Sequence, residues 1–272
     1  MARSSGSSRA VIKEQRRTRS QPGSKRKPAV SGATAQSPAA SKSVIREYAE
    51  ALIIAGVAAF LIKTFFIQAF RIPSGSMEDT LLIGDFLLVN KFIYGARIPL
   101  SDVRLPAIRE PKPGDIIVFQ YPEDPTKDYI KRCIAVGGQT VEVRDKVVDV
   151  DGVKQPLPPL AKHIDPDLLS RAQGPRDDWG PVKIPAGTLF MMGDNRDNSK
   201  DSRFWGPLDR RLVRGKALII YMSWDEQPGD PEVLWTLDDP LGSLTSILYE
   251  VAFDLVHIPW RVRWGRIGHL IE

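Results

Sequence analysis

The sequence predicts a mainly β protein: an antiparallel, barrel-like β domain with a smaller inserted β and loop region, preceded by one N-terminal transmembrane helix. Three observations predict it. An apolar run opens at Ala51 and, with Lys63 as its one charge, continues to Phe66; with Tyr48 it approaches the roughly 20 helical residues that a bilayer core requires. Beyond Phe70 the texture changes to short apolar runs set off by turn signals such as Pro113-Gly114-Asp115, Gly137-Gly138 and Asp151-Gly152, which is the pattern of antiparallel strands. No second run is both long enough and uncharged enough to span.

Residues 1–43 are rich in Ser, Ala, Pro, Arg and Lys and poor in large apolar side chains. Such a stretch buries too little surface to offset its ordering entropy and is expected to be disordered. Its basic residues, Arg16, Arg17, Lys25, Arg26 and Lys27 among them, precede the apolar run, so the tail is expected in the cytoplasm and residues 69–272 outside it. A tail that sets topology needs no nucleic-acid partner. The anchor is placed at 44–68, with Lys63 reaching back to the interface. A cleavable leader is disfavoured, because Gln68-Ala69-Phe70-Arg71 offers no small-x-small site. The chain is thus expected as a single-pass protein of the cell membrane.

In the domain that follows, strands are expected at Phe86–Val89, Asp115–Gln120, Tyr129–Val136, Val141–Val143, Val147–Val150, Thr188–Met192 and Lys216–Met222. Residues of about 145–187, Pro-rich and polar from 152 onward, read as an inserted subdomain of loops and short strands. Leu244, Ile247, Leu248, Val251, Ala252 and Leu255 fall at helical spacing. The stretch 241–256 is therefore a helix that either packs on the β domain or lies in the membrane interface.

Composition narrows the chemistry. One cysteine, Cys133, excludes an intrachain disulfide and a cysteine-cluster metal site. His163, His257 and His269 sit beside no pattern of nucleophile or acid. The acidic loop 194–201 lacks the ligand spacing and central glycine of a calcium loop. No metal and no cofactor is expected.

Three polar segments remain: Phe70-Arg71-Ile72-Pro73-Ser74-Gly75-Ser76-Met77-Glu78-Asp79-Thr80-Leu81 just past the anchor, Asp128-Tyr129-Ile130-Lys131-Arg132, and Gly193-Asp194-Asn195-Arg196-Asp197-Asn198-Ser199-Lys200-Asp201-Ser202-Arg203-Phe204-Trp205-Gly206. Singly they read as a turn, a solvated strand edge and a polar loop. In this order behind one anchor they resemble the bacterial type I signal peptidases, over about Ile62 to Met222. Leu82–Val89 and Tyr121-Pro122-Glu123-Asp124-Pro125 share the likeness, and Arg261–Ile267 is similar to the family's last strand.

The resemblance implies a membrane serine endopeptidase that removes signal peptides from exported pre-proteins after small-x-small motifs. It implies Ser76 as nucleophile and Lys131 as general base. It implies an oxyanion hole from the Ser76 N–H and the Ser74 hydroxyl, Ser199 orienting the lysine, and Asp201 with Arg203 as a supporting ion pair. Phe70, Ile72, Pro73, Met77, Leu81, Tyr129 and Ile130 match the substrate-binding positions. Implied partners are pre-protein signal peptides, the lipid bilayer and, by proximity, the protein-export translocon. A serine–lysine pair is chemically apt only if the lysine is neutral, which demands a pKa well below the usual 10.4 or so; burial in an apolar wall achieves that. Asp79 stands where the family usually has proline, and Ala135-Val136-Gly137-Gly138-Gln139 departs from the usual turn after the lysine strand. A cytoplasmic self-cleaving repressor would share the dyad but not the anchor. A non-catalytic tethered β module that binds exported proteins would not need Ser76, Lys131 and Ser199 together.

Overall fold

The computed structural model describes residues 44–98, 101, 103–227, 229–231 and 240–272. The expected disordered tail, 1–43, lies outside the described residues.

Helix α1 (Val44–Leu61) passes through a π-helical turn (Ile62–Phe66) straight into strand β1 (Ile67–Arg71). Together the helical residues Val44–Phe66 are long and apolar enough to cross a membrane, and none of the assessed window is buried by protein. The strand takes up the last two residues of the predicted anchor. Phe66-Ile67-Gln68-Ala69-Phe70 suits either an apolar helix or a strand. Pairing decides it, because all five residues of β1 are matched to β2 (Asp85–Asn90).

The main sheet is antiparallel and seven-stranded. Its order is β1, β2, β11 (Val213–Ser223), β3 (Ile116–Gln120), β4 (Asp128–Val136), β9 (Thr188–Met192) and β10 (Leu208–Asp209). Both faces of its centre are covered. Ile116 and Val118 of β3 join one core with Leu87, Val89, Ile130 and Ile220, while Ile117 and Phe119 join another with Tyr94, Cys133 and Met191. That is why β3 reads as an unbroken apolar run rather than an alternating one. Each such side chain contributes roughly 1.5–3 kcal/mol of burial. Cys133 is fully buried, and desolvation pushes its thiol up to about 12.

The insertion forms a second, four-stranded sheet: β7 (Val153–Lys154), β6 (Val147–Val150), β5 (Thr140–Arg144) and β8 (Trp179–Lys183). It therefore begins at Thr140, ahead of the predicted 145. Its apolar face, with Val141, Val143, Val148 and Val150, packs on Ala135, Phe190 and Met192 of the main sheet.

Helix α2 (Ser202–Trp205) is a single turn capped by the Asp201 side chain. Helix α3 (Pro240–Arg261) is longer than the predicted 241–256. The stretch Arg261–Ile267 is not a strand. Val262 makes one isolated bridge to Trp224, and Trp264–Arg266 form a 3-10 turn. The arginines explain why: Arg266 ion-pairs with the buried Asp85 at 2.5 Å, and Arg263 with Asp225 at 2.7 Å. Those contacts hold the segment as a strap over the end of β2.

Candidate active site

Ser76 sits in a 3-10 turn (Gly75–Met77) that follows β1 after Ile72-Pro73-Ser74. Lys131 reaches it from the middle of β4. The lysine Nζ donates to Ser76 Oγ at 2.6 Å, and Ser74 Oγ lies 3.5 Å from the same oxygen. Lys131 is 3 % exposed and has no carboxylate within ion-pair distance among the described residues. Desolvation lowers its pKa to about 8, partly opposed by the more distant Asp201 and Asp194 charges. The Tyr129 ring, its centroid 5.4 Å from Nζ, forms part of the wall.

A frame of arginines and carboxylates grips the turn from behind. Asp194, fully buried, takes two hydrogen bonds of 2.8 Å from Arg132 and one of 2.6 Å from Thr80 Oγ1. The next residue, Asn195, donates its backbone N–H to the Ser76 carbonyl at 3.1 Å and its side-chain amide to the Gly75 carbonyl at 3.2 Å. Asp201 and Arg203 form the expected buried ion pair, with two contacts of 2.8 Å. Burial pushes the Asp201 carboxyl up, but Arg203 and the Gly193 N–H outweigh it and hold it below the ordinary range. Ser199 is buried here, close enough to help hold the Asp201 carboxylate down. Its Oγ nonetheless makes no well-formed hydrogen bond among the described residues, so the expected bond to Lys131 is not formed.

Asp194, Arg132, Thr80, Asn195 and Gly193 were not among the site residues expected from sequence. Gly193 offered a readable signal as the first residue of the third segment. A Cβ there would fall 2.3 Å from Ser199 Oγ and 2.5 Å from the Ser76 carbonyl oxygen, so only glycine lets these two strands of the site close up. Asp79 has φ +73°, which a proline ring cannot adopt. The turn after Ser76 is thus built differently from one that carries the usual proline. Lys162, from the second sheet's long connection, ion-pairs with Asp79 at 3.0 Å and Glu78 at 3.2 Å.

A cleft of about 430 Å³ opens in front of Ser76. Phe70, Ile72, Pro73, Tyr129 and Ile130 line it as expected, and Val118, Asn198 and Lys200 join them. Met77 and Leu81 do not. Both are fully buried in the core under the turn, where the Met77 sulfur accepts from the Asp194 N–H at 3.4 Å. They support the Ser76 turn from within rather than lining the cleft. Two free backbone edges border the opening. Among the described residues β1 is paired only through β2, and Asp128–Lys131 pair only with β3, because the contact of β4 with β9 starts at Arg132.

A curled antiparallel sheet with a serine and a buried lysine in contact, facing an apolar cleft beside two strand edges, fits a serine protease. Residues 45–224 match the family model described as signal peptidase, peptidase S26. Signal peptidase I of Pseudomonas fluorescens is 37% identical over 196 residues, covering 61% of this chain and 68% of its own. Signal peptidase I of Aquifex aeolicus is 34% identical over 246 residues, covering 71% of this chain and 89% of its own. The chain belongs to the signal peptidase family, peptidase S26. It is a membrane-associated serine protease that removes signal peptides from pre-proteins.

Proposed function

We propose that Ser76 is the nucleophile of this protease and Lys131 its general base. The observation that carries the reading is the 2.6 Å contact between Lys131 Nζ and Ser76 Oγ, made by a buried lysine whose pKa has fallen to about 8. At neutral pH about a tenth of such a lysine is neutral, against well under a thousandth of a free one. The neutral amine takes the Ser76 proton as Oγ attacks the scissile carbonyl carbon. The resulting oxyanion is held by the Ser76 N–H and the Ser74 hydroxyl, donors aimed where charge develops. The Lys131 ammonium then protonates the leaving amine. The acyl ester on Ser76 is hydrolysed by a water that Lys131 deprotonates.

Substrate binding follows from the two free edges. The signal peptide enters as an extended strand between β1 and Asp128–Lys131, gaining main-chain hydrogen bonds from both. Phe70, Ile72, Pro73, Tyr129 and Ile130 leave room for small side chains at the first and third positions before the cut. Asp201, Arg203 and Ser199 keep the floor rigid. The helix Val44–Phe66 spans the cell membrane once, with the basic tail in the cytoplasm and the catalytic domain outside, beside the export translocon. The test is cleavage of a purified pre-protein by the full chain, with N-terminal sequencing of the product. Ser76→Ala and Lys131→Ala should each abolish it, and the product should begin after a small-x-small motif. Retained turnover in either variant overturns the dyad. Protease added to intact spheroplasts should degrade the β domain, and its survival until lysis overturns the orientation.

A further inference from the structure

Helix α3 is inside out. Its exposed positions are 244, 245, 248, 249, 251, 252, 255, 256, 259 and 260, and Thr245 is the one residue among them that is neither apolar nor aromatic. The charged residues Glu250, Asp254 and Arg261, with Ser243, Ser246 and His257, lie on the sheltered face instead, beside Ile247, Phe253 and Ile258. Leu248 and Leu255 are 59% and 64% exposed and Trp260 is 76% exposed. A helix bathed in water arranges these faces the other way round.

The fold also brings the end of α3 within one short strand of the apolar helix. The helix long enough to cross a membrane ends at Phe66, and β1 carries the chain five residues further to Arg71, a rise of roughly 17 Å. Arg71 ion-pairs with Glu226 at 2.7 Å. The adjacent Asp225 donates its N–H to the Arg261 carbonyl at 2.8 Å, and Arg261 returns a hydrogen bond to the Asp225 carbonyl. The C-terminal end of α3 is therefore tied to the far end of β1, one short strand away from the anchor. Trp260 and Trp264 sit at that end, the residue type that settles at the headgroup level.

We propose that α3 lies in the membrane interface, its outward apolar face immersed in the same bilayer that the N-terminal helix enters. The catalytic domain is then held by two attachments: a span before β1 and a surface helix after β11. A single span leaves a domain free to swivel about its axis; a second attachment stops that rotation and fixes which way the cleft faces. Glu250, Asp254 and Arg261 on the sheltered face suit a helix lying on the bilayer and not one crossing it.

The experiment uses the full chain in phosphatidylethanolamine–phosphatidylglycerol vesicles. Cysteine replaces Leu248, Leu255 or Ser246 one at a time and carries a nitroxide; Cys133 is fully buried and its thiol is raised, so it stays unlabelled. Collision rates with oxygen and with a water-soluble nickel chelate are then compared. The proposal expects high oxygen and low nickel access at 248 and 255, and several-fold less oxygen access at 246. High nickel access at 248 and 255 places the face in water and overturns it. Low access to both reagents there means that protein covers the face, a second copy included, and overturns it equally. Wild-type enzyme supplies a reading that needs no labelled variant: lipids brominated high in the acyl chain should quench tryptophan emission, and Trp260→Phe should remove much of that quenching. No quenching in the wild type overturns the proposal.

Discussion

Lys131 and Arg132 are consecutive residues of one strand, both cationic and both buried, and they have opposite fates. Successive side chains leave a strand on opposite faces. Arg132 meets the Asp194 carboxylate through two hydrogen bonds and also donates to the Gly114 and Glu272 carbonyls at 3.0 Å. Lys131 meets a hydroxyl and an aromatic ring. Burial with a partner makes a fixed charge that holds architecture together. Burial without one makes a charge that is costly to keep and therefore easily given up. The site needs both, and it takes them from a single dipeptide.

The comparison can be broken or sharpened by experiment. Lys131→Arg should have the largest effect. It keeps a cation near Ser76, but arginine stays protonated, so turnover should fall by roughly 10²–10⁴-fold, the worth of a general base. Cleavage within tenfold of wild type would show that the neutral amine is not required. Arg132→Met should cost about 3–5 kcal/mol of folding stability, because it strands the fully buried Asp194 charge. A loss under 1 kcal/mol in denaturant melts would refute the frame. Lys131→Met should do the opposite and stabilise the inactive protein by roughly 2–3 kcal/mol at neutral pH. The folded pKa of Lys131, about 8, lies below its ordinary value of 10.5, so the penalty of burying its charge is full below pH 8. That penalty fades between pH 8 and 10.5 as the folded protein releases the proton. The gain from Lys131→Met should fade across that same window, and a gain independent of pH would point to packing instead.

A smaller effect concerns the shape of the rate profile. kcat/KM should rise with pH through about 8 as Lys131 loses its proton in the free enzyme. Changing His163, His257 and His269 together should leave that limb in place. Its disappearance would transfer the role of base to a histidine.

Much of the fold was legible because strand burial writes itself into composition. The run at 116–119 announces a strand covered on both faces, and Asp151-Gly152 announces the turn between β6 and β7. β1 was hidden, because its residues continue the anchor's apolar run and only pairing with β2 separates them. Arg261–Ile267 misled because the arginines that break the strand find carboxylates on distant elements, Asp85 and Asp225. In the site, three short segments pointed to the residues that meet, Lys131 with Ser76 and Arg203 with Asp201. Met77 and Leu81 were expected at the cleft and lie in the core beneath it, since adjacency to Ser76 in sequence does not say which side of a turn faces the opening. Arg132 and Asp194 looked like an edge residue and a loop acid; sixty-two positions separate them, and no local pattern joins them.

The directness of the path from Phe66 to Ser76 has one further consequence. No hinge or linker intervenes: the helix becomes β1, and β1 becomes the wall of the cleft. The distance between the end of the apolar helix and the site is therefore bounded by the covalent chain, since β1 adds at most roughly 17 Å over its five extended residues. Such a protease gauges distance as well as sequence. A suitable pair of small residues placed far beyond the end of a substrate's apolar segment is out of range, however well it would fit the pockets. Extending β1 with two extra residues should move the preferred cut in the same direction by a similar span.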